Sequence, residues 1–82
     1  MMNKKRVSSV DTLIGQRIRE LRCANNKTQA EVARACGVTF QQVQKYERGT
    51  NRLSVSRLID VCKAIDVSPA LFVSDIARQS GR

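Results

Sequence analysis

Two helix starts and two helix stops fall within residues 28 to 49, at a spacing that leaves room for little else. Thr28 precedes Glu31 by three positions, and Thr39 precedes Gln42 by three. Both pairs fit the reciprocal cap, in which a hydroxyl accepts from a free helix N–H and the later side chain reaches back. Gly37 follows Cys36 and Gly49 follows Arg48, where a left-handed residue closes a helix. The spacing predicts one helix after Thr28 and another after Thr39. Only Gly37, Val38 and Thr39 lie between them, a connector short enough to force a helix-turn-helix.

The apolar residues agree with this geometry. Val32, Ala33 and Cys36 share one helical face. Ala33 is small enough for the next helix to cross close by, and Val38 can plug the gap. In the second helix Val43 and Tyr46 point inward, with Phe40 on the same side at the very start. Gln41, Gln42, Gln44, Lys45 and Arg48 are left outside. Such a face packs poorly against protein but suits the major groove of DNA. An amide can pair with an adenine edge, a lysine with guanine or phosphate, and an apolar group with a thymine methyl. The N-terminal part of a recognition helix enters the groove, so Phe40, Gln41, Gln44 and Lys45 are the base-facing candidates. Thr28 and Gln29 begin the preceding helix, whose free N–H groups favour a phosphate. Thr39, Gln42 and Arg48 complete the candidate surface on the motif.

These residues resemble the helix-turn-helix of the lambda-repressor-like (Cro/CI, XRE) family. The likeness rests on Gln29, Val32 and Ala33 in the first helix of the motif, Gly37 and Val38 in the turn, and Tyr46, Glu47 and Gly49 at the close. It extends from about residue 11 to residue 73. The resemblance implies an all-α, compact five-helix domain. It also implies an ion pair joining Arg22, on the helix before the motif, to Glu47. Phe40 departs from the pattern, standing where members often carry a polar base reader. A thymine-methyl contact and a staple at the helix start both remain open for it.

Around the motif, Asp11 can cap a first helix reaching to about Cys23. Its stripe is Leu13, Ile14, Ile18 and Leu21, with Arg17, Arg19 and Glu20 opposite. After Gly49, residues 50–53 follow the recognition helix directly, which makes Asn51 and Arg52 phosphate candidates. Phosphate contacts set register, and base contacts choose sequence. Ser54 can cap a fourth helix to about Ala64, with Leu58, Val61, Cys62 and Ile65 inward. Ser68 and Pro69 form an N-cap followed by proline at the first helical position of a fifth helix. Leu71, Phe72, Val73 and Ile76 there offer more apolar surface than a small core needs, and are the candidates for a homodimer contact. The organisation expected is a flexible basic tail over 1–10 carrying Lys4, Lys5 and Arg6, a DNA-binding domain over 11–78, and a frayed end over 79–82.

Composition narrows the function. Lys and Arg number 15 against 7 Asp and Glu, a net charge of +8 that suits a polyanion partner. There is no histidine, no glycine-rich phosphate loop and no carboxylate cluster, so an enzyme is not expected. Cys23, Cys36 and Cys62 fall on three separate helices without a C-x-x-C, so neither a metal nor a disulfide is expected. Cys36 and Cys62 read as small buried apolar residues. No apolar run is long enough to span a bilayer. The expectation is a soluble cytoplasmic protein, associated with the nucleoid through DNA, with no cofactor and no small-molecule effector. It would bind an inverted-repeat operator as a homodimeric regulator, a repressor or autoregulator. The alternative is a protein-interaction module, such as an antitoxin-like partner of another protein.

Overall fold

The computed structural model describes residues 9–81, and within them five helices and no strand. They are α1 (Ser9–Ala24), α2 (Gln29–Cys36), α3 (Phe40–Arg48), α4 (Val55–Ala64) and α5 (Pro69–Gln79). The family's five-helix, all-α architecture is therefore present. The basic segment with Lys4, Lys5 and Arg6 lies outside the described residues.

The caps fall where the sequence puts them. Thr28 accepts from the Glu31 N–H while the Glu31 carboxylate accepts from the Thr28 N–H, a complete reciprocal cap. That backbone contact, first among its causes, holds the Glu31 carboxyl below its ordinary pKa. Thr39 makes only half of its cap: its hydroxyl accepts from the Gln42 N–H, and no return bond from the Gln42 side chain is present. Ser54 and Ser68 cap α4 and α5 in the same way. Gly37 and Gly49 both close their helices with left-handed backbone, at φ +69° and +75°. Asp11 does not cap α1. Within the described residues the helix already runs from Ser9, with Asp11 in its first turn.

All five helices contribute to one core. Ile18 comes from α1, Val32 and Ala33 from α2, Val43 and Tyr46 from α3, Val61 and Cys62 from α4, and Phe72 and Ile76 from α5, with Ile65 just after α4. Fully burying one such aliphatic side chain is worth about 1.5–3 kcal/mol. Phe72 and Ile76 are thus part of the core, where α5 packs against α4 and α1. Leu71 and Val73 stay outside, 72% and 50% exposed. Burial pushes the Cys62 thiol up to about 11, so it behaves as an apolar group. Cys36 is half-buried and Cys23 exposed.

The motif is held from behind by polar ties as well as apolar packing. Arg57 of α4 donates to the Cys36 carbonyl at 2.7 Å, satisfying the end of α2. Asn25 donates to the Ile65 carbonyl at 2.6 Å, joining the loop before α2 to the end of α4. At the far end, Ser80 closes α5, which runs through Gln79, by its N–H to the Ile76 carbonyl at 2.9 Å.

Candidate nucleic-acid interface

α3 is anchored at its C-terminal end. Gly15 of α1 lies against it so closely that an added Cβ would sit 2.5 Å from the Tyr46 carbonyl oxygen and 2.6 Å from that of Glu47. Gly49 does the same on the other side, its absent Cβ falling 2.8 Å from the Thr12 Cα. Between them Glu47 is buried and ionic. Arg22 Nε donates to Glu47 Oε2 and Arg22 Nη2 to Oε1 at 3.1 Å, while Gln29 Nε2 donates to Oε1 at 2.9 Å. Arg22 Nη1 also donates to the Lys27 carbonyl at 2.9 Å. The hydrogen bond to Glu47 is the largest cause that keeps Arg22 charged. One carboxylate thus joins α1, α2 and α3 and fixes the rotation of α3 about its axis. The Arg22–Glu47 pair that the resemblance implies is formed.

With that end fixed, the face of α3 opposite Val43 points outward. Gln41 and Lys45 are exposed, and Gln42 and Gln44 partly so. Among the described residues none of the four has a side-chain hydrogen-bond partner. Phe40 does not turn inward as its position suggests. It is 44% exposed at the N-terminal tip, where the chain is still entering the helix. Thr39 is exposed beside it, its hydroxyl accepting from the helix.

The margins of this face differ from expectation. Gln29 has one N–H engaged by Glu47 and is half-buried. The start of α2 also carries its own carboxylate, Glu31, bonded to Thr28. An anion there would meet a negative neighbour, which offsets part of the attraction of the helix dipole. The positive edge lies further round. A cleft of about 140 Å³ opens between α1, α2 and α3, lined by Arg19, Gln29, Gln44, Glu47 and Arg48. Arg19 and Arg48 are exposed there, without a side-chain partner among the described residues. Sequence reasoning placed Arg19 on the solvent face of α1. The missed signal is spacing: Arg19 lies three residues before Arg22, so it sits one turn along on the side that meets α3. Beyond Gly49, Asn51 is half-buried, and Arg52 donates from Nε to Asp11 Oδ2 at 3.1 Å.

Residues 18–72 match the model of a helix-turn-helix family. The chain belongs to the XRE-type helix-turn-helix family. It is 49% identical over 76 residues to a transcriptional regulator from the ATPase CF(0) region of Rhodospirillum rubrum, covering 93% of this chain and 70% of that one. It is 46% identical over 72 residues to an HTH-type transcriptional regulator of Sinorhizobium fredii, covering 88% of this chain. The match spans 50% of that relative, so several curated relatives are about twice as long as the region shared. Among solved structures the chain resembles the clp gene regulator ClgR of Corynebacterium glutamicum, at 26% identity and TM-score 0.79, over 88% of this chain and 94% of that one. It also resembles the restriction-modification controller protein C.AhdI of Aeromonas hydrophila, at 29% identity and TM-score 0.74, over 79% and 98%. This XRE-type domain is therefore of a DNA-binding, transcription-regulating class. Among its described residues no helix is long and apolar enough to cross a membrane.

Proposed function

We propose that this chain is a sequence-specific double-stranded DNA-binding regulator, a repressor or autoregulator, that binds as a homodimer with α3 in the major groove. The observation that carries the reading is α3 itself. It is locked at its C-terminal end, and it presents Phe40, Gln41, Gln44 and Lys45 outward, the two amides and the ammonium without a side-chain hydrogen-bond partner among the described residues. A rigid helix with unengaged amides and a cation is what base-edge readout requires. In this reading Gln41 and Gln44 read adenine edges, Lys45 reaches guanine, and Phe40 meets a thymine methyl. Thr39, Gln42, Arg48, Asn51 and Arg52 flank them along the backbone, with Thr28 and Gln29 at the start of α2. Arg19 joins this set across the cleft it shares with Arg48.

The dimer is proposed through α5. This helix packs chiefly on α4 and α1, so a contact made through it leaves both copies of α3 facing DNA. Leu71 and Val73 are exposed on it. Val73 edges an apolar groove of about 270 Å³ whose walls include Val10, Ile14 and Leu58, with Phe72 and Ile76 as its floor. Two copies related by a two-fold axis would place half-sites about 34 Å apart. Sedimentation at high concentration, free and on DNA, should show a dimer that Val73→Glu weakens. Monomer only, in both states, would refute that part.

A second reading, an interaction module that docks on a protein partner, is favoured by 34% identity over 56 residues to the antitoxin PezA of Streptococcus pneumoniae. That match covers 68% of this chain and 35% of the antitoxin. Replacing Gln41 and Lys45 together by alanine separates the two. The groove reading expects DNA affinity to collapse while the fold persists, and unchanged affinity would favour the protein partner.

A further inference from the structure

Arg52 and Asp11 lie 41 residues apart, yet they form an ion pair at the edge of the interface. The two ends of this pair differ. The Asp11 side chain is 16% exposed and the Arg52 side chain 70%. Only Nε of Arg52 is engaged, and the terminal Nη1 and Nη2 groups have no partner among the described residues. The carboxylate is itself held in place. Asp11 lies in the first turn of α1, and the same turn is the backbone against which Gly49 closes α3. The anchor of Arg52 is therefore fixed relative to the recognition helix.

We infer that Asp11 is a positioning residue for DNA, clamping Arg52 at Nε so that its terminal N–H donors face a backbone phosphate. The inference rests on the proposed phosphate role of Arg52. An unclamped arginine loses rotamer freedom when it binds, and a clamped one has lost it beforehand. The fork of the guanidinium allows this, because one edge can meet a carboxylate while the other meets a phosphate. The carboxylate has an opposing effect, since its own charge repels DNA. Orientation and repulsion give opposite signs, so the two can be separated.

The test is a double-mutant cycle on the full chain, using a duplex selected from a random library, with affinity read at several salt concentrations. Arg52→Ala alone should weaken binding and reduce the salt slope by about one unit. Asp11→Ala in the presence of Arg52 should weaken binding about three- to fivefold, the range of a partly exposed ion pair. Asp11→Asn, which keeps an acceptor oxygen, should restore most of that loss. In the Arg52→Ala background, Asp11→Ala should leave affinity unchanged or improve it. Circular dichroism of each variant at the assay temperature separates these effects from unfolding. Tighter or unaltered binding by Asp11→Ala with Arg52 present would overturn the inference alone. Equal weakening in both backgrounds would also overturn it, marking Asp11 as merely structural. Arg52→Ala with wild-type affinity would remove the phosphate role itself, and the positioning role with it.

Discussion

The two ends of α3 are built to opposite specifications. At the C-terminal end, Tyr46 and Glu47 are buried, two glycines admit α1 at backbone distance, and one carboxylate takes three donors from two other helices. At the N-terminal end, Phe40 and Gln41 stand in solvent, and Lys45 continues that exposed face one turn on. The difference separates stability from recognition within nine residues. Changes at the locked end should unfold the domain and affect DNA binding only as a consequence. Changes at the open end should leave folding intact.

The sharpest way to break this division is Glu47→Ala. It leaves the largely covered Arg22 guanidinium with only the Lys27 carbonyl, at a cost of about 3 kcal/mol. Thermal and urea unfolding should show a domain near or below its stability limit. A loss below about 1 kcal/mol would mean that the carboxylate does not hold the helix, on the scale of exposed pairs. Next is Gly15→Ala, which sets a methyl against two carbonyl oxygens that cannot move aside, costing about 2–3 kcal/mol. A melting temperature within about 4 °C of the parent, equivalent to less than about 1 kcal/mol, would contradict the close approach of α1. At the open end, Gln41→Ala should cost about 1–3 kcal/mol of DNA affinity and relax specificity at one or two positions. Its unfolding curve should overlay the parent's. The smallest effect should come from Gly37→Ala. Its φ of +69° is strained for alanine, but nothing lies within 4 Å of the added methyl. The expected cost is about 1 kcal/mol. Gly49→Ala, with a similar φ but the Thr12 backbone in its way, should cost clearly more. Equal losses at the two glycines would show that backbone strain alone sets both.

The residues that sequence made legible are those whose signals are local. Thr28 and Thr39, Gly37 and Gly49, Ser54 and Ser68 each specify a helix end within a few positions, and all six act there. Val43 and Tyr46 follow from periodicity, and Arg22–Glu47 follows from the family resemblance. What was hidden depends on contacts distant in sequence. Gly15 carries no local requirement for glycine, since it lies inside a helix, and only the arrival of α3 explains it. Arg52 reads as an unattached cation until α1 brings Asp11 to it. Phe72 and Ile76 looked like surplus because one helix cannot reveal how much of its apolar face its neighbours cover. Leu71 and Val73, on the two flanks of the same helix, stay exposed.

The central claim is that the open end of α3 reads base sequence. The most direct test is selection of bound duplexes from a random library at near-physiological salt, with the parent chain and with Gln41→Ala run in parallel. The account predicts an enriched inverted repeat from the parent, with half-site centres about 34 Å apart, and loss of preference at one or two positions of each half-site in the variant. Binding with no enriched motif would contradict it, leaving only the attraction of a +8 chain for a polyanion.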